Sequence, residues 1–224
     1  MKKIIIAIKS FILTNIYGLK LSKINDINQK KILRQKFANS ILDLLNIKIS
    51  VSGIENIEEN KQYLFIVNHR SILDPLIIEK SIETLNLPLG FWLAKEDLYK
   101  SPFFKLFTKN AGTIFVPNDK DNSIQMMKDV HEKVLQGCSI NIFPEGTRNK
   151  INENLLPFQK GASLIALKNK LDIIPIYIKT PAEKILKKSL ISNEINKIEI
   201  IIGKIIDKKE RELEIRYKEE FQLD

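Results

Sequence analysis

An α/β fold, with a mainly parallel mixed sheet flanked by helices and preceded by an amphipathic helical pair, is what this sequence predicts. Three observations carry the prediction. Short apolar runs alternate with amphipathic stretches of helical length, the pattern of strands spaced by crossover helices. At 44% hydrophobic and 28% charged over 224 residues, the chain has the composition of a folded protein and the length for a full core. Finally, the polar residues able to do chemistry stand directly after apolar runs, at the strand ends where sites form in such sheets.

The elements follow in order. The N-terminal stretch MKKIIIAIKSFILTNIYG (1–18) has the look of a secretion signal, but Lys9 interrupts its apolar run and no small-residue cleavage site follows. The run is shorter than the roughly 20 apolar residues of a spanning helix, so a helix on a membrane surface is expected. From Gln29 to Leu45 the spacing predicts an amphipathic helix, with Ile32, Phe37, Ile41, Leu44 and Leu45 on one side and the lysines and Arg34 elsewhere. Residues 1–46 thus read as a docking pair and residues 47–224 as the α/β domain. On pattern alone, the pair suits a bilayer or a packed interface with the core.

Strands are expected at IKISV (47–51) and YLFIV (63–67), then a helix from about Ile72 to Leu85. FWLA (91–94) is a short strand, Asp97 to Lys109 a helix interrupted at Pro102, and TIFV (113–116) another strand. SIQMMKDVHEKVLQ is a helix with Asn122 or Ser123 as N-cap and Gly137 at its C-terminal end. SINIF (139–143) is a strand, and GASLIALKNK continues a helix begun near Gln159. IIPIYIK (173–179) and IEIIIGKII (198–206) are strands, and Lys208 to Glu219 is a closing helix.

The net charge is +9, and only five of the 36 cations are arginine. Such a balance suits an anionic bilayer, an acidic carrier protein or nucleic acid. There is no RNP-like aromatic motif, zinc finger or arginine-rich stripe, so nucleic acid is not expected as a partner. The single cysteine, Cys138, excludes an internal disulfide; following Gly137 at the mouth of a strand, it reads as a packed thiol. Two histidines and one cysteine are poor material for a metal site.

Two blocks carry chemistry. In NHRSILDP (68–75), His69 stands five positions before Asp74. Five residues on a regular helix are about 140° apart around the axis, so the pair meets only if His69 lies in the loop after the strand and Asp74 in the first helical turn. A base with an orienting carboxylate is one reading of that pair. The other is a helix start: Asp74 before Pro75 suits an N-cap, and Ser71-x-x-Asp74 resembles a capping box. The second block, FPEGTR (143–148), supplies a carboxylate, a glycine that admits close approach, and an arginine able to fork onto a phosphate. The second histidine, His131, lies mid-helix among charges and reads as solvated.

In that order and 75 positions apart, Asn68 to Phe143, NHRSILD and FPEGTR resemble the paired signature of the glycerolipid acyltransferases, in particular the lysophosphatidate acyltransferases. AKEDLYKSPFF (94–104), GTIFV (112–116), LLPFQKGASLIA (155–166) and IIPIYI (173–178) resemble the same family's other blocks. The resemblance implies transfer of a fatty acyl group from a thioester, on acyl carrier protein or coenzyme A, to the free hydroxyl of lysophosphatidate, giving phosphatidate. It makes His69 the general base and Asp74 its orienter. Glu145, Gly146 and Arg148 become substrate-binding residues with Arg148 on the phosphate, and Lys95, Thr147 and Lys160 their helpers. No cofactor is implied, the thioester being a co-substrate. The implied place is the cytoplasmic face of the inner (cytoplasmic) membrane, on an anionic membrane surface. Two departures stand out. Pro117-Asn118 occupies the place of a common arginine, with Lys120 and Lys109 as nearby cations, and Asp172 replaces a proline. The first raises a different acceptor, such as a lyso-aminolipid; a non-catalytic basic lipid-binding protein is the reading from another class.

Overall fold

The computed structural model describes residues 1–117, 123–151 and 153–223; Asn118, Lys120 and the proposed cap Asn122 lie outside the described residues. The chain opens with α1 (Lys2–Ser22) and α2 (Ile27–Leu44), then β1 (Ile47–Ser52) and β2 (Leu64–Val67). These lead to α3 (Asp74–Ser81), β3 (Gly90–Lys95), α4 (Asp97–Lys100), α5 (Lys105–Asn110) and β4 (Thr113–Val116). The second half runs α6 (Ser123–Leu135), β5 (Ser139–Ile142), α7 (Gly161–Asn169), β6 (Ile173–Ile178), α8 (Ala182–Ser189), β7 (Asn196–Ile202) and α9 (Leu213–Phe221).

One sheet of seven strands orders them β1-β7-β6-β2-β5-β3-β4. Every pairing is parallel except β6 with β7. β2 lies between β5 and β6, with all four residues buried. Its side chains alternate between two cores. Phe65 and Val67 join Phe37, Ile41, Ile77, Ile78 and Trp92 on one face, while Leu64 and Ile66 join Ile140, Ile165, Ile173 and Tyr217 on the other. A strand covered on both faces is apolar throughout, which is why YLFIV reads as a continuous run.

Four differences from the sequence reading have identifiable causes. The segment between β6 and β7 holds a helix not expected, α8, which packs Ile185 and Leu186 on the core and turns the chain so that β7 runs antiparallel to β6. β7 ends at Ile202 because Gly203 passes close to α9: a Cβ there would lie 2.7 Å from Glu220 Cγ. Ile206 then makes only an isolated bridge to Ile173.

The third difference concerns α2. Ile32 is 50% exposed and Arg34, assigned to the polar side, is 3% exposed. The buried face runs through Arg34, Gln35, Phe37, Ala38, Ile41 and Leu42. Arg34 reverses the pattern because Glu79 of α3 pairs with it inside the protein.

The fourth concerns α1. Lys9 is exposed and does not break the helix, which runs 21 residues and is long and apolar enough to cross a membrane by length and composition. One face carries exposed Ile4, Ile8, Phe11, Ile12, Ile16 and Leu19. The opposite face buries Ile6, Thr14, Gly18 and Leu21 against α5 and α2. Gly18, a poor helix former, fits because α5 comes so close that a Cβ would stand 2.9 Å from the Phe107 backbone nitrogen.

Candidate active site

The parallel strands β2, β5 and β3 deliver their following residues to one edge of the sheet, and the two sequence blocks meet there. Asn68 closes the end of β2 by pairing with β6: its Oδ1 accepts the Ile178 N–H at 2.7 Å and its Nδ2 donates to the Ile178 carbonyl at 3.2 Å. The ladder is thereby continued by a side chain, and His69 emerges at a defined place in the loop beyond.

His69 and Asp74 do meet. Nδ1 of His69 is 2.8 Å from Oδ2 of Asp74, whose carboxyl is fully buried. The same oxygen accepts the backbone N–H groups of Arg70 and Ser71, each at 2.7 Å. The carboxylate therefore points back into the loop rather than capping α3 from its own position, and it serves both readings. It closes the capping box on the Ser71 N–H, while Ser71 Oγ accepts the Leu73 N–H at 3.3 Å, and it holds the His69 ring. A carboxylate that only accepts obliges Nδ1 to be the protonated ring nitrogen, leaving Nε2 unprotonated in the neutral imidazole. No described residue hydrogen-bonds Nε2. The other Asp74 oxygen, Oδ1, is buried with no hydrogen-bond partner among the described residues. Ser71 ties the loop to α8 by donating from Oγ to Glu183 at 3.1 Å.

The second block is laced to the first. Glu145 is 4% exposed, and both its oxygens accept backbone N–H groups: Oε1 from His69 at 2.6 Å, Oε2 from Leu156 at 2.8 Å. Burial pushes its carboxyl up to about 7, against the pull of those two hydrogen bonds and of Arg70; the Asp74 charge adds to the rise. The His69 carbonyl accepts from the Asn149 N–H at 2.6 Å, and the Arg70 guanidinium reaches the carbonyls of Glu153 and Asn154.

The remaining residues of the sequence reading lie around this knot. Gly146 holds φ +68°, a left-handed turn that glycine adopts without strain, and a Cβ there would come within 3.3 Å of Gln159. Thr147 and Arg148 are exposed beside it, and Arg148 has no hydrogen-bond or ion-pair partner among the described residues. Lys160 is exposed at the start of α7, which the Gln159 N–H ties to the Pro144 carbonyl at 2.8 Å. Lys95 is exposed at the end of β3, three residues beyond the pairing of Trp92 with Asn141 of β5.

Two aromatic residues take part without having been singled out as site residues. The Phe143 ring stacks on the His69 ring, centroids 3.8 Å apart and planes 11° apart, and Trp92 stacks behind Phe143 at 5.0 Å and 24°. Phe143 opens the FPEGTR block, so its place was legible; that it would face the histidine was not. Elsewhere, Cys138 is buried and its thiol is pushed up by burial, in keeping with a packed role. His131 is exposed, with Nδ1 3.0 Å from Asn169 Oδ1, a partner on α7 that its own helix does not reveal.

Comparison with known proteins identifies the family to which the chain belongs. The chain is 36% identical over 116 residues to a 1-acyl-sn-glycerol-3-phosphate acyltransferase of Helicobacter pylori, covering 51% of this chain and 47% of that one. It is 37% identical over 134 residues to that of Borreliella burgdorferi, covering 59% and 52%, and 31% identical over 153 residues to the human alpha enzyme, covering 67% and 52%. It thus spans about half the length of these curated relatives. Its fold matches the crystal structure of the 1-acyl-sn-glycerophosphate (LPA) acyltransferase PlsC of Thermotoga maritima, with a TM-score of 0.66 at 22% identity over 98% of this chain and 94% of that one. The acyltransferase family model matches residues 48–179, a span that takes in the His69–Asp74 loop and the Glu145 loop, and on that match the chain belongs to the acyltransferase family.

Proposed function

We propose that this protein transfers a fatty acyl group from an acyl thioester, on acyl carrier protein or coenzyme A, to the free hydroxyl of lysophosphatidate. The observation that carries the reading is the His69–Asp74 pair, with Nδ1 engaged at 2.8 Å and Nε2 the nitrogen left for a substrate. Family membership and the printed activities of the relatives support the acyl-transfer chemistry and the acceptor.

In the proposed reaction the acceptor hydroxyl gives its proton to His69 Nε2 as its oxygen attacks the thioester carbonyl. The C–S bond breaks as the ester C–O bond is completed, and the imidazolium returns the proton to the leaving thiolate. Asp74 holds the tautomer and stabilises the imidazolium through Nδ1. Glu145 fixes the His69 backbone rather than reaching outward, since both its oxygens are engaged. Gly146, Thr147 and Arg148, with Lys95 and Lys160, form the anion-binding side, where the exposed Arg148 guanidinium suits the acceptor phosphate. The reading places the enzyme on the cytoplasmic face of the inner membrane, with the apolar face of α1 against the bilayer.

The test is transfer of a radiolabelled acyl group from both donors to lysophosphatidate in mixed micelles, wild type beside His69→Ala. Loss of a general base is expected to lower turnover about 10²–10⁴-fold with the circular dichroism unchanged. Equal rates would remove His69 from the chemistry. The same chemistry on another lysolipid is the second reading, carried by Pro117-Asn118 where the family commonly has an arginine. A panel of lysolipid head groups separates the two.

A further inference from the structure

We propose that Trp92 is a positioning residue for the His69 imidazole, acting through Phe143 and held in place by the buried Arg34–Glu79 pair. The inference rests on the reading of His69 as the base. Asp74 holds the imidazole at one atom of its edge. The face of the ring is set by the stack on Phe143, whose planes differ by only 11°. Phe143 cannot retreat because Trp92 stands behind it at 5.0 Å.

Trp92 is itself fastened. It is 9% exposed, and its indole N–H donates to Glu79 Oε1 at 3.0 Å. The same oxygen takes Nη2 of Arg34, while Nη1 of Arg34 donates to the carbonyls of Gly90 at 2.7 Å and Ala111 at 3.0 Å. Arg34 and Glu79 are both buried, so the pair is not a solvated surface contact, and each charge depends on the other. The result is a continuous support of ion pair, indole, phenyl and imidazole, drawing on α2, α3, β3 and the residue after β5.

The short helix α3 holds both ends of this support. Its first residue, Asp74, grips the imidazole edge, and Glu79, toward its other end, grips the tryptophan that backs the imidazole face. A buried ion pair is a costly way to stabilise a core, since apolar residues of similar volume serve as well or better. Its use here follows if the direction of the indole matters, because an N–H bonded to a charged, fixed acceptor sets the orientation of a ring that apolar packing alone leaves less defined.

The test uses the full chain with Trp92→Leu, Trp92→Phe and, should the leucine variant not fold, Trp92→Met in its place. Turnover and both KM values are measured in the micelle assay alongside His69→Ala. Loosening the base should lower kcat about tenfold to 100-fold with both KM values near wild type, and Trp92→Phe should return most of the loss. A second readout needs no substrate. The chain has two histidines, His69 and His131, so a His131→Asn background leaves one set of imidazole proton signals. In the stacked ring these lie upfield, shielded by the Phe143 face, and they should move toward the exposed-histidine position in Trp92→Leu. Unmoved signals, wild-type kcat, or a loss confined to KM would overturn the proposal. If His69→Ala turns over normally, the base reading fails, and the proton signals still decide whether Trp92 orients the ring.

Discussion

Glu145 sits between opposing demands. Its two backbone hydrogen bonds favour the carboxylate, while burial favours the neutral acid and wins, bringing the group up to about 7. A folded-state value above the ordinary 4.5 means the fold prefers the protonated form. That contribution to stability is complete below about pH 4.5 and is lost as the pH rises through about 7, by up to about 3 kcal/mol. Glu145→Gln cannot ionise, and its amide accepts only one of the two N–H groups. The variant should therefore be the less stable protein at pH 5, with the gap narrowing by pH 8. Urea midpoints at the two pH values check this, and parallel slopes would refute it. At this scale the sequence placed Glu145 in the right loop. It did not reveal that the carboxylate faces inward, because the N–H groups that hold it come from His69 and Leu156, residues 76 and 11 positions away.

The N-terminal helices show how much an element depends on its neighbours. α2 belongs to the same core as the sheet, through Phe37, Ile41 and Leu42 and through Leu45 just past its end. Its polar and apolar sides could not be assigned from periodicity alone, because Glu79 draws Arg34 inward while Ile32 stays half exposed. α1 is different: one face packs on α5 and α2 and the other stays apolar and exposed. Replacing Ile4, Ile8 and Ile12 by Gln leaves that packed face untouched, so circular dichroism should not change. Each isoleucine sunk in a bilayer interior is worth about 1.5–3 kcal/mol, and partial immersion still leaves a loss of more than tenfold expected in vesicle flotation. Unchanged flotation would refute the role proposed for α1. The helix α8 went unread because its eight residues offer only Ile185 and Leu186 as an apolar stripe among lysines.

Across the whole molecule, the single antiparallel pairing sets β1 and β7 apart from the parallel strands that bring the site to one edge. The chain as a whole is basic, with a net charge of +9. Attraction of such a protein to an anionic bilayer adds to apolar insertion, at about 1 kcal/mol for each lysine or arginine near the surface. The two contributions respond differently to salt. Between 0.1 M and 1 M the screening length falls from about 10 Å to about 3 Å. Binding to vesicles containing phosphatidylglycerol should weaken over that range and level off at the apolar residue, while binding to neutral phosphatidylcholine vesicles should stay constant. Equal binding to both at low salt would remove the electrostatic part.

By itself the sequence determined the fold class, most strand positions and the two loops of the site. Those rest on local causes: period-two and period-3.6 burial, Gly and Pro punctuation, and polar residues placed immediately after apolar strands. The separation of His69 from Asp74 already required a loop followed by a helix start, which is what formed. Only the tertiary structure revealed that Asp74 serves both uses at once, its Oδ2 taking the Ser71 N–H of the capping box and the His69 ring N–H in a loop whose path depends on Asn68 pairing with β6. It alone set Phe143 against His69 and Trp92 against Phe143, and buried Arg34 on Glu79. Each of these last contacts joins residues dozens of positions apart, and a contact of that kind leaves no periodic trace in either partner's own segment.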